Sequence, residues 1–128
     1  MEQNKKVRQV FFDTEATGKK KDYDRIVEIA LVEAYDNIPT GKVYHTVINP
    51  ERPIPEEAIK IHNITDEIAA SAPLFREVMP EIIDFIRGAE CLAYNIEYDS
   101  GILNAELVRA GHDETYWEIT DNNIDVLQ

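Results

Sequence analysis

Two carboxylic acids, Asp13 and Glu15, close the apolar run Val7-Arg-Gln-Val-Phe-Phe12. The β-branched and aromatic residues of that run predict a strand. Strand side chains repeat every two residues, so both carboxylates fall on one face, about 6–7 Å apart at their α-carbons. Like charges so placed raise each other's affinity for a proton or a cation. Hard oxygen donors of this kind suit Mg²⁺ or Mn²⁺. Taken alone, the same spacing also suits a solvated strand end. A third acid, Asp99, follows the short apolar strand Glu90-Cys-Leu-Ala-Tyr94 and stands where a helix over 99–110 begins. It can act there as an N-cap, or as a third ligand favoured by the helix dipole. Three such acids on neighbouring strand edges fit two-metal phosphodiester hydrolysis, with ions about 3.5–4 Å apart.

The elements that must position these acids follow from periodicity and turn chemistry. Strands are expected at 7–12, 25–35 and 42–48, with a polar loop at 13–24 and turn residues at 36–41. Three strands joined by tight turns suggest an antiparallel meander. A short helix is expected at 55–61, with Pro55 at its first position and two acids in its first turn. Phe75, Val78, Met79, Ile82, Ile83 and Ile86 fall at helical spacing, which predicts an amphipathic helix over 74–87. Pro80 should kink that helix or delay its regular start, and Gly88 should end it. Ile102, Leu103, Leu107 and Val108 mark the buried side of the 99–110 helix, and 124–128 reads as the first turn of another. Strands first, then helix and strand in alternation, give an α/β fold: a mixed sheet with helices packed on it.

Composition narrows the function classes. The 128 residues carry 13 Lys and Arg against 25 Asp and Glu, a net charge of −12. That argues against a protein that coats DNA through charge alone. The cations are uneven: Lys5, Lys6, Arg8, Lys19, Lys20, Lys21 and Arg25 all precede residue 26. The Lys19–Lys21 run reads equally as a phosphate contact or as a solvated loop. One cysteine, Cys91, excludes a disulfide framework and a multi-cysteine zinc site. No apolar run approaches ~18 residues, so no membrane partner is expected and the cytoplasm is the default location. Glu28 reads either as a second acid near the metal site or as a half-exposed strand residue, and His45 has no visible partner. Tyr35 and Tyr44 are expected to pair across strands. Tyr116 and Trp117 read either as rings that stack on bases or, by preference, as core residues that pin the last segment.

The acids sit in recognisable surroundings. Asp13-Thr14-Glu15-Ala16-Thr17-Gly18 and Asn95-Ile-Glu-Tyr98-Asp99, the latter followed by Gly101, Leu103, Glu106 and Leu107, resemble the first two motifs of the DEDDh 3′–5′ exonucleases. Asn49-Pro50 and Ile61-His62-Asn63-Ile64-Thr65-Asp66 resemble that family's connecting segment. The resemblance runs from about Val7 to the last residue and implies one exonuclease-like domain with an RNase H-like fold. It implies removal of nucleotides from the 3′ end of single-stranded DNA or RNA, in proofreading or repair. Asp13, Glu15 and Asp99 would hold two divalent ions, Mg²⁺ or Mn²⁺. Thr14 and Ala16 would line the terminal nucleotide through their backbone. His62 and Asn95 would approach it, and Tyr98 and Ile61 would pack on its sugar or base. A DNA polymerase subunit would be a further partner.

Three positions depart from the family pattern: Ala16 replaces a usual Thr, Tyr94 a frequent His, and Glu97 adds an acid beside the site. The larger departure is the third motif, a His separated by four residues from an Asp, which supplies the general base and a fourth carboxylate. The corresponding position after His112 is Trp117, and His62 and Asp66 are one residue too close. The C-terminal part of the fold is therefore expected to be missing. The alternative to an exonuclease is an inactive, exonuclease-like binding module.

Overall fold

In the computed structural model, which describes residues 6–126, the first three strands form the expected meander. They are β1 (Arg8–Ala16), β2 (Ile26–Tyr35) and β3 (Ile38–Val47), each antiparallel to the next. Asp36 and Asn37 turn β2 into β3 with φ of 52° and 65°. Positive φ at both central residues is the two-residue hairpin geometry that matches strand twist, and Asp and Asn tolerate it. Then come α1 (Glu56–His62), α2 (Asp66–Ala70), α3 (Phe75–Ile86), β4 (Glu90–Ala93), α4 (Ile96–Arg109), α5 (Tyr116–Ile119) and β5 (Asn122–Asp125). The sheet order is β3-β2-β1-β4-β5, with β4 parallel to β1 and β5 parallel to β4.

Alternation along β1 divides its residues between two faces. Val10, Phe12, Thr14 and Ala16 are buried, whereas Phe11, Asp13 and Glu15 are half-buried or exposed. The buried set joins Ile29 and Leu31 of β2 and the apolar sides of α3 and α4 in one core, which includes Ile82, Ile86, Ile102, Leu103 and Leu107. Each such side chain, fully buried, stabilises the fold by about 1.5–3 kcal/mol. A smaller cluster of Val27, Ile54, Ala58, Ile64 and Ala69 seats α1 and α2 at the start of β2. Helix α3 runs through Pro80 without ending. Pro80 is exposed, so the hydrogen bond it cannot donate is lost on the solvent side. Gly88 leaves that helix at φ 72°, as expected for a glycine stop.

Several boundaries differ from the sequence reading. β1 continues through Ala16, since Asp13, Thr14 and Glu15 keep the two-residue alternation and pair with Ala30, Ile29 and Glu28. Helix α4 starts at Ile96 with Asn95 as N-cap, so Asp99 lies inside the first turn and is not the cap. The expected helical turn at 124–128 is instead the strand β5, its last two residues lying outside the described ones. Helices α2 and α5 were not expected, and both begin on a threonine cap: Thr65 accepts from Ile68 N–H and Thr115 from Glu118 N–H. Tyr35 and Tyr44 do not pair, because the register sets Tyr35 opposite Ile38 and Tyr44 opposite Leu31. Tyr116 is fully buried, while Trp117 stays 52% exposed. Among the described residues, no helix is long and apolar enough to cross a membrane.

Candidate active site

The site forms where β1 outruns its parallel neighbour. β1 pairs with β4 through Gln9–Glu90, Val10–Cys91 and Phe11–Leu92; β4 then ends at Ala93, while β1 runs on beside β2 to Ala16. In α/β sheets the crevice outside such carboxyl ends is the usual ligand position. Past the last pair, β1 presents Asp13 and Glu15 on its more exposed face, and the chain after β4 turns at Tyr94 and Asn95 into α4. Asp99, 5% exposed, comes in from the core side. The Thr14 hydroxyl donates to its Oδ1, so one strand carries two of the acids and ties down the third.

The three carboxyls disturb one another. Burial pushes Asp99 up to about 6, and Asp13 and Glu15 add to that push, against the Thr14 hydrogen bond. Burial also raises Asp13, with Glu28 contributing, and a Thr14 backbone hydrogen bond opposes it. Glu15 is raised by burial and then by Asp13, while His62 opposes. Glu28 stands opposite Glu15 in the ladder, and its carboxylate lies 2.6 Å from Nε2 of His45, the partner that sequence did not supply. Acids raised by burial and like-charged neighbours attract protons or cations, and hard oxygen donors fit a divalent ion. Among the described residues, no three or more His, Cys, Asp or Glu side chains close into a ready-made metal-holding group. The donor chemistry fits such ions; the side chains are not already gathered around one position.

A cleft of about 850 Å³ opens beside Glu15. Its lining brings together Thr14, Glu15, Ala16, Ile61, His62, Asn95 and Tyr98 from the predicted set. Asp13 and Asp99 are not in the lining: Asp13 faces out from the sheet and Asp99 lies behind Thr14. Ile61 is 69% exposed on the α1 side. His62 bridges two segments, with Nε2 3.2 Å from the Ala16 carbonyl and Nδ1 accepting from Ile64 N–H at 3.0 Å. An Nδ1 that accepts leaves the proton on Nε2, which donates to Ala16. Neither nitrogen is then free to take a proton from water. The Tyr98 hydroxyl donates to the Gly18 carbonyl at 2.6 Å. Burial, then Asp24, Asp99 and Glu15, push that phenol up to about 12. His112 lies past the end of α4, which alone runs ten residues, about 15 Å at 1.5 Å per residue, beyond Asp99, and it contacts Glu114.

Of the other wall of the cleft, the sequence reading named only the Lys19–Lys21 run, as a phosphate contact or a solvated loop. Thr17, Gly18, Lys19, Lys20, Tyr23 and Asp24 line that wall, facing Pro55, Glu57 and Ala58 of the α1 side. The lysine run was the available signal, since three cations directly after the acid pair stand out in so acidic a chain. Nothing in the sequence marked Asp24. Its role is a loop closure: it accepts from the Thr17 hydroxyl at 2.8 Å and from Lys20 N–H at 2.9 Å.

A five-stranded mixed sheet, with acids at the ends of its parallel neighbours, is the RNase H-like arrangement. Solved structures share the fold: exonuclease I in its apo form matches with a TM-score of 0.85 over 96% of this chain and 30% of its own, at 18% identity. The exonuclease I of Methylocaldum szegediense matches at 0.83 over 94% of this chain and 28% of its own, at 22% identity. The family described as Exonuclease (RNase_T) matches residues 10–126, and the chain belongs to it. The DNA polymerase III epsilon subunit of Pasteurella multocida (strain Pm70) is 42% identical over 108 residues, 80% of this chain and 43% of that protein. That of Rickettsia prowazekii (strain Madrid E) is 37% identical over 122 residues, 94% of this chain and 53% of that protein. The chain thus spans about half, or somewhat less, of the relatives it matches.

Proposed function

We propose that the protein is a 3′–5′ exonuclease that removes nucleoside monophosphates from a single-stranded DNA or RNA end, with residues 1–128 forming one exonuclease-like domain. The observation that carries this reading is that the end of β1 carries Asp13 and Glu15 and, through the Thr14 hydroxyl, holds Asp99 of α4, next to the cleft. Similarity to epsilon subunits and to exonuclease I supports it. Asp13, Glu15 and Asp99 would hold two divalent ions, Mg²⁺ or Mn²⁺, which when bound supply an activated water and neutralise charge on the phosphate. The chain's own residues do the rest. Thr14 and Ala16 line the terminal nucleotide with backbone, Ile61 and Tyr98 pack on its sugar or base, and His62 and Asn95 border it. In the net reaction the hydroxide part of water joins the terminal phosphorus. The bond from phosphorus to the preceding 3′-oxygen breaks, and that oxygen takes up the remaining proton of the water. The bacterial relatives support a cytoplasmic setting and a DNA polymerase as partner.

Asp13→Ala in the full-length protein should abolish Mn²⁺-dependent release of mononucleotides from a 5′-labelled oligonucleotide. Unchanged release would sink the assignment. A second reading has its own observation: His62 has both ring nitrogens committed, so the cleft offers no free imidazole as base. On that reading the domain binds metal and strand without turnover. Robust hydrolysis by residues 1–128 alone would exclude it.

A further inference from the structure

We propose that Lys19, Lys20 and the Tyr23–Arg52 stack form a ledge that carries the strand upstream of its terminal nucleotide. This rests on the nuclease reading and adds a second contact zone to it. The net charge of −12 works against any polyanion, and the lining itself includes Glu15, Asp24 and Glu57. Asp24 is taken up internally by Thr17 and Lys20 N–H. Lys21 is likewise drawn away, its ammonium 4.0 Å from Glu97 and its stem lying over Gly101. Among the described residues, the ammonium groups of Lys19 and Lys20 have no acid within ion-pair distance, though both residues line the cleft.

The loop that presents them is held in shape from several sides. Tyr98 donates to the Gly18 carbonyl, and Arg109 donates to the carbonyls of Asp22 and Tyr23. Gly18 is required there, since a Cβ would stand 2.5 Å from the Asp24 carboxylate. Tyr23 is 64% exposed and lines the cleft. The Arg52 guanidinium sits 4.6 Å from its ring centroid and also donates to its carbonyl at 2.7 Å. Two free cations on a braced loop beside an aromatic ring are the chemistry that holds single strands: charge tracks phosphates and the ring stacks a base.

The test is binding of a short fluorescent oligothymidylate by the full-length protein in EDTA, followed by polarisation across a salt series. Each phosphate contact to a single strand contributes about 0.7 to the log–log salt slope. K19Q/K20Q should therefore weaken binding and lower the slope by about 1.4. Tyr23→Ala should weaken it about five- to a hundred-fold at fixed salt, with the slope unchanged, and Tyr23→Phe should restore it. Thymidine 5′-monophosphate, which has no upstream phosphate, should bind wild type and K19Q/K20Q alike. Wild-type affinity and slope in K19Q/K20Q would overturn the ledge and leave the nuclease reading standing. Equal weakening of both ligands would overturn it too, as damage to the terminal pocket. Failure of the wild type to bind the oligonucleotide in EDTA would overturn the ledge, while the Mn²⁺-dependent release assay decides the nuclease reading separately.

Discussion

The chain holds two kinds of acid around its sheet, and their surroundings are opposite. Glu106 is 1% exposed and fully matched: both oxygens accept from Arg25 Nε at 3.0 Å, and one accepts from Ile26 N–H at 2.8 Å. Asp24, 7% exposed, is likewise matched by Thr17 and Lys20 N–H. Asp13, Glu15 and Asp99 have few donors, and one another for neighbours; all three bind protons more tightly than ordinary carboxyls. The matched acids join segments of the chain. The unmatched ones stay raised despite the Thr14 and His62 contacts that oppose it, and such perturbed groups beside a cleft are where function concentrates.

Four measurements would break or sharpen that contrast. Glu106→Ala leaves the Arg25 guanidinium, with its side chain 14% exposed, without a partner. Losing one half of a buried pair costs about 3–5 kcal/mol, so urea unfolding should shift by that much. A cost below about 1 kcal/mol would erase the distinction. Asp99→Asn should act in the other direction. A carboxyl whose folded pKa exceeds its unfolded value penalises the fold fully above the folded pKa, and the penalty fades as pH falls toward the unfolded one. With Asp99 raised from 3.8 to about 6, the variant should be more stable in EDTA near pH 8, and equal to wild type near pH 4. At ~1.4 kcal/mol per unit, the gain is about 3 kcal/mol. The third measurement is melting with Mn²⁺ in excess: a hundredfold excess over Kd adds about 2.7 kcal/mol to the wild type, and D13N/E15Q should lose that rise. The smallest effect belongs to Glu97→Gln, whose exposed pair with Lys21 spans 4.0 Å and should matter by under about 0.5 kcal/mol.

The parts of the molecule legible in sequence are those set by short-range periodicity. The meander, the amphipathic helix around Ile82 and the shared face of Asp13 and Glu15 all follow from spacings of two to four residues. β5 was misread because four residues carry too little pattern, and its strand state comes from pairing with β4, some thirty positions earlier. Asp99 was placed near the acids through motif resemblance; its attachment to the Thr14 hydroxyl joins positions 85 apart and no local rule announces it. Arg25 and Glu106, 81 apart, were equally invisible as a pair. His62 was expected at the substrate, and it does line the cleft, but its nitrogens serve the backbone of Ala16 and Ile64.

The parallel register of β1 and β4 also sets an order of events during folding. The β1–β2–β3 hairpins close over short loops and can form early. Gln9 cannot meet Glu90 until the chain has closed a loop of about eighty residues, a slower and entropically costlier step. Asp99 reaches Thr14 through that same closure. The three like charges therefore come together last, when the rest of the sheet can hold them. Quenched-flow hydrogen exchange should find the β1–β2 amides protected before those shared by β1 and β4.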